Sequence, residues 1–317
     1  MKNMIIKPNK ENLSVFVSLG SFFVFIGLID LLSNTFVDLN LTGFLPEKLS
    51  FFAPLIFGTL GLYLIRIEFL GFRYHGWQKQ SGLRSIQGMV DKTFEYIFQH
   101  NNFKTLGCGR TDAKVSANDF AFELFTLSDF EFNPETLMCE MNKNLPPDIR
   151  TKSIIEVNSE FNIIKNSSVK EYHYYFSSGI KSHPFNAPLI RDFGKKLNIE
   201  KMQKAAEMFL GEHNFKRFAS KPNRNATFER NILKSEIVSN EKLTANFTPQ
   251  DSYVFKIKSK GFLRYQVRLM MGALVNVGRG EWNIEQLHEI LKNPSGPQVK
   301  HIAPSSGLVL HEVCFEN

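Results

Sequence analysis

Gly107-Cys108-Gly109-Arg110-Thr111-Asp112-Ala113-Lys114-Val115-Ser116-Ala117-Asn118-Asp119 reads as a polar loop between two short strand candidates, Phe103 to Leu106 and Phe120 to Phe125. Two glycines ahead of an arginine permit a tight or left-handed backbone. The arginine offers a rigid fork for a phosphate or a carboxylate. By itself, the Arg110/Asp112 pair reads more readily as a structural ion pair inside a turn.

The loop sits in a chain whose elements alternate. Upstream, Tyr63 to Phe69 alternates as a strand, and Ile86, Met89, Val90, Phe94 and Ile97 recur at helical spacing, which predicts a helix over 85–99. Downstream, Ile199, Met202, Ala206, Phe209 and Leu210 mark a second helix and Tyr253 to Ile257 a strand. Residues 264–278 and 283–292 read as two further helices. Ser182 to Pro188, with two prolines, reads as a linker or an active-site loop. Strands and helices in this mixed order predict an α+β fold, and no tandem repeat is visible.

The 317 residues carry a net charge of +7. In residues 1–61, Lys2, Lys7, Lys10 and Lys48 cancel Glu11, Asp30, Asp38 and Glu47, so the whole excess lies in 62–317. That bias suits a polyanionic partner such as RNA. The three cysteines, Cys108, Cys139 and Cys314, have neither disulfide-framework nor metal spacing, and no histidine has an i, i+4 histidine partner. A reducing compartment and no metal site are expected.

Residues 13–29 and 49–65 are two uncharged runs rich in Phe, Leu, Ile and Val. Each has 17 residues, the lower limit for a membrane helix. Lysines before the first run and Arg66 after the second place both ends in the cytoplasm. One expectation is therefore a helical membrane hairpin in 13–65 that anchors a cytoplasmic catalytic domain. Against it, Tyr63 to Phe69 already reads as a strand, leaving no linker. The competing expectation is a reading frame that starts too early, with Leu62 as the true initiator.

The motifs, taken in order along the chain, resemble the tRNA pseudouridine synthases of the TruA family. Gly109 to Ala113, Val115 and Ala117 match its Gly-Arg-Thr-Asp-Ala-Gly-Val-His-Ala loop, departing at Lys114 and Ser116. Tyr74-His75-Gly76-Trp77-Gln78, Asn144 to Ile149, Lys170 to Tyr174, Gly211 to Phe215, Phe262-Leu263 with Val267-Arg268, and Ala303-Pro304 with Gly307-Leu308 each resemble a further family motif. The resemblance spans about 62–317 and none of 1–61. It departs again at Leu70, where the family has aspartate, and at Ile164, where a basic residue is missing.

The resemblance implies two related halves, 62–165 and 166–317, whose sheets join across a central RNA-binding cleft. It implies isomerisation of uridine to pseudouridine at about positions 38–40 of the tRNA anticodon stem-loop, each target base leaving its stack to react. No redox step occurs, so no cofactor is implied. Asp112, Tyr172 and Arg268 are the implied catalytic residues: a carboxylate nucleophile or base, a stacking or proton-relaying tyrosine, and an arginine that orients the carboxylate. Arg110, Tyr74, His75, Lys170 and Phe262 are expected at the substrate. Read without the family, Tyr172 and Tyr174 are one face of an ordinary strand, and Arg268 is a helix charge. The family implies tRNA as partner and a homodimer. The alternatives are a synthase acting on another RNA, prompted by Leu70, Lys114 and Ser116, and a membrane-tethered RNA-binding protein without catalysis.

Overall fold

The computed structural model describes residues 61–126, 132–179, 181–221 and 227–316. The first half comprises β1 (Gly61–Phe69), α1 (Ile86–Phe98), β2 (Phe103–Gly107), β3 (Ser116–Thr126), α2 (Pro134–Asn144) and β4 (Ile149–Glu156). The second comprises β5 (Ser167–Ser177), β6 (Arg191–Asp192), α3 (Ile199–Glu207), β7 (Gly211–Asn214), β8 (Glu229–Ser239), β9 (Ser252–Ser259), α4 (Gln266–Gly278), α5 (Ile284–Lys292) and β10 (Leu308–Phe315).

All ten strands belong to one mixed sheet, ordered β4-β1-β3-β10-β5-β9-β8-β7, with β2 on β3 and β6 on β5. The order contains a repeat. In the first half β1 lies between β4 and β3, with β2 beyond β3; in the second β5 lies between β10 and β9, with β8 beyond β9. Both are the β-α-β-β-α-β pattern. The halves join where β3 runs parallel to β10 through two paired positions, Ser116 with Val309 and Ala117 with Leu310.

Each half has its own core. Tyr63, Ile65, Ile67 and Phe69 of β1 pack with Ile86, Val90, Phe94 and Phe98 of α1. That helix starts at Ser85, whose side chain accepts from Gly88 N, and ends at Gln99 in the left-handed conformation. In the second half, α4 is enclosed nearly all round: every one of its residues is buried except Arg268. A Cβ on Gly272 would sit 1.8 Å from the carbonyl oxygen of His301, so the glycine lets residues 299–303 cross the helix in contact with its backbone.

Three sequence expectations change. β1 begins at Gly61, so the end of the second hydrophobic run is strand, paired from Gly61 onward with β3. The rest of the expected hairpin lies outside the described residues. Among those described, no helix is long and apolar enough to cross a membrane. The helix expected from 264 starts at Gln266, because Tyr265 has φ 63° and cannot continue a right-handed helix backward. The stretch expected as a linker, 182–188, contains a short 3-10 helix, Pro184–Asn186, on a His183 cap.

Candidate active site

The loop 108–115 leaves β2 and enters β3 at the junction of the two halves. Its shape is fixed by neighbours. Cys108 N donates to Ala121 O at 2.9 Å, Lys114 N to Tyr74 O at 3.0 Å and Val115 N to Asp112 O at 3.2 Å. Gly76, at φ +84°, comes so close that a Cβ there would lie 2.2 Å from Thr111 O. Trp77 packs on Phe120 with centroids 4.4 Å apart. The run from Tyr74 to Trp77 is thus the brace that holds the loop from one side.

Asp112 emerges from this loop and meets Arg268, the side chain that α4 leaves unburied. Arg268 Nη1 donates to Asp112 Oδ2 at 3.0 Å. The same guanidinium is held by Ala303 O, 2.8 Å from Nε, and lies 4.7 Å from the Tyr265 ring centroid. Its orientation is therefore set independently of Asp112. Burial raises the Asp112 pKa above the ordinary carboxylate range; the hydrogen bond from Arg268 and its charge oppose that rise without cancelling it.

A cleft of about 790 Å³ opens over the pair, lined among others by His75, Gln78, Arg110, Thr111, Tyr172, Phe262, Leu263 and Leu308. Tyr172, on β5, meets Phe262 edge to face at 5.4 Å and packs against the cores of both halves. Burial, reinforced by Cys108 and Asp112, raises its phenol pKa, so it stays protonated at neutral pH. It can stack or donate a hydrogen bond. The cleft accordingly has an apolar wall, a protonated phenol, and one carboxylate held by one arginine. That combination suits a flat, uncharged ring entering beside a carboxylate.

Six of the eight expected site residues line this cleft: Asp112, Tyr172, Arg268, Arg110, His75 and Phe262. Two do not. Tyr74 is buried, and its hydroxyl donates to Asp148 Oδ1 at 2.6 Å while Arg84 lies over its ring, so it braces the fold. Lys170 points behind the loop and donates from Nζ to Cys108 O at 2.7 Å. It supports the loop backbone.

The departures from the family pattern also resolve. Ser116 is buried, and its hydroxyl accepts from Gly71 N at 2.9 Å. With Leu70 it lines a different cleft, on Pro147, Tyr175 and Val309. Neither lines the cleft over Asp112. Lys114 holds φ 68°, a left-handed conformation that glycine adopts more readily. Sequence reasoning missed Gln78 and Tyr265. The signal for Tyr265 was an aromatic between two arginines, since Arg264 also lies over its ring, at 5.2 Å.

A family described as tRNA pseudouridine synthase matches residues 205–316. A tRNA pseudouridine synthase A from Thermosipho melanesiensis is 32% identical over 253 residues, covering 80% of this chain and 99% of the relative. The protein of that name from Oenococcus oeni is 30% identical over 257 residues, covering 80% and 98%. That from Mesoplasma florum is 31% identical over 261 residues, covering 80% and 99%.

Proposed function

The chain belongs to the tRNA pseudouridine synthase A family, and from that premise we propose that it isomerises uridine to pseudouridine in the anticodon stem-loop of tRNA, at about positions 38–40, where unpaired or extruded bases can enter the cleft. The observation that carries this reading is the Asp112–Arg268 pair, 3.0 Å apart, at a cleft walled by Tyr172 and Phe262.

The reaction breaks the glycosidic bond at N1, turns the base over and rejoins it through C5. Atoms and electrons balance without an oxidant or cofactor. The detached ring must be retained while it turns, and the Tyr172 and Phe262 side chains provide the apolar faces that hold it. Asp112 supplies the carboxylate that attacks or takes the proton, ionised by its pairing with Arg268. Arg110 and His75, both exposed at the rim, are placed to hold the extruded nucleotide's backbone. A homodimer, with the tRNA reaching both subunits, is part of the same proposal.

Release of tritium from tRNA labelled at uridine C5 tests the reaction, because C5 exchanges its hydrogen for the glycosidic bond. Asp112→Asn should abolish release. The variant should still fold, as its melting transition would report. Conversion by Asp112→Asn at the parent rate would reject the assignment. Pseudouridine mapping with and without the gene identifies the RNA, and unchanged anticodon arms would replace tRNA with the rival substrate.

A further inference from the structure

Beyond Arg268 lies a second cleft, of about 640 Å³, lined by Phe72, Lys114, Lys181, His183, Arg191 and Pro304, with Arg268 as the wall it shares with the catalytic cleft. Its lining is predominantly cationic. Lys114, Lys181 and Arg191 are exposed, and among the described residues none is in an ion pair. The acid in the lining, Asp192, is already engaged: its two carboxylate oxygens accept from Ser182 N and Gly194 N, each at 2.7 Å. Arginine and lysine without counter-ions around a cleft are the footprint of a phosphodiester.

The rim carries the second half of a nucleotide site. The His183 ring meets Phe185 at 4.8 Å, and Phe185 meets Phe247 edge to face at 5.6 Å. Phe185 is 69% exposed, its ring packed against His183 and Phe247 and otherwise open to solvent. Exposed rings beside lysines form a stacking platform for unpaired bases. Lys114 belongs to the same arrangement. It keeps a left-handed backbone where the family motif has glycine, and it projects Nζ over Phe72, 5.6 Å from the ring centroid.

We propose that this second cleft binds the unpaired nucleotide next to the target uridine, with Lys114, Lys181 and Arg191 on its phosphates and Phe185 stacked on its base. The assignment rests on the functional reading above only for the identity of the neighbouring base. A strand whose target base enters beside Asp112 runs over the shared Arg268 wall into this cleft. The cleft then reads the loop flanking the target, and it makes Lys114 a determinant of RNA affinity particular to this chain.

The test is the salt dependence of tRNA binding, measured on filters with the full chain. Each phosphate contact on a single strand contributes about 0.7 to the slope of log affinity against log salt. Lys181→Ala/Arg191→Ala should therefore lower the slope by about 1.4 and raise Kd. Lys114→Gly should lower it by about 0.7. Should the double variant fail to fold, Lys114→Gly carries the same test, because it relaxes a left-handed lysine. Phe185→Ala should raise Kd with the slope unchanged, as a neutral stack does. Parental slopes and affinities in the folded lysine and arginine variants would overturn the cleft. Tritium release by the parent reports separately on the reaction: release with unchanged slopes sinks only the cleft, and lowered slopes without release sink only the reaction.

Discussion

Replacing Arg268 by glutamine isolates what the arginine does for Asp112. Burial pushes that carboxylate's pKa up, while the hydrogen bond and charge of Arg268 and, more weakly, the charge of Arg264 pull it down. A charge-assisted hydrogen bond is worth about 1.5–3 kcal/mol. At about 1.4 kcal/mol per pKa unit, that corresponds to about 1–2 units. The Asp112 side chain keeps 31% of its surface in water. Solvent screening therefore favours the lower figure, about 1 unit. The sign is fixed: with the positive charge gone, the carboxylate protonates at higher pH and the ionised form needed for reaction is lost earlier. The pH profile of kcat/KM for tritium release should show its acid limb displaced upward by about 1 pH unit in Arg268→Gln. Arg268→Lys, which keeps the charge without the planar fork, should shift it less. A plateau that falls while the acid midpoint stays put would refute the reasoning. It would mean that Arg268 acts through Ala303 and the loop geometry rather than on the ionisation of Asp112.

Three further outcomes follow from the framework of the site. Tyr74→Phe should lower stability by about 1–2 kcal/mol in urea unfolding, by removing a buried hydroxyl's bond to Asp148, without abolishing turnover. Gly76→Ala should cost more than that and inactivate the protein, because the new Cβ meets Thr111 O and the left-handed backbone is strained; an active, equally stable variant would remove Gly76 from the brace. His173 is held at a pKa of about 4 by burial, against an unfolded value near 6.5, despite its bond to Glu171. The unfolded chain thus binds the extra proton between these values, so stability is complete above them and falls by up to about 3 kcal/mol as pH drops to 4. His173→Phe should flatten the melting-temperature profile across that window.

The loop at 107–119 was legible because its chemistry is local: glycines, an arginine and an aspartate sit in one short run. The helix α1 was legible because Ile86, Val90 and Phe94 repeat at its period. The helix α2 was not, since only Leu137 and Met141 are buried along it and its pattern is correspondingly weak. Tyr74 and Lys170 lie outside the cleft for a different reason. Each sits in a motif with true cleft residues, yet its partner, Asp148 or Cys108 O, is brought from far along the chain by the fold. Local sequence shows that such a residue matters without showing which way it faces. The repeated topology was expected only through the family resemblance, since no tandem repeat is visible in the residues themselves.

The parallel joint between β3 and β10 has a consequence beyond the sheet itself. Asp112 is carried by one half; Arg268 and Tyr172 are carried by the other, and the two are stitched at two paired positions. Neither half holds the whole of the proposed site. A chain opened between β4 and β5, in 157–166, would give two pieces that are each inert. Turnover would then count the pieces that have found each other, so the enzyme would serve as its own gauge of assembly.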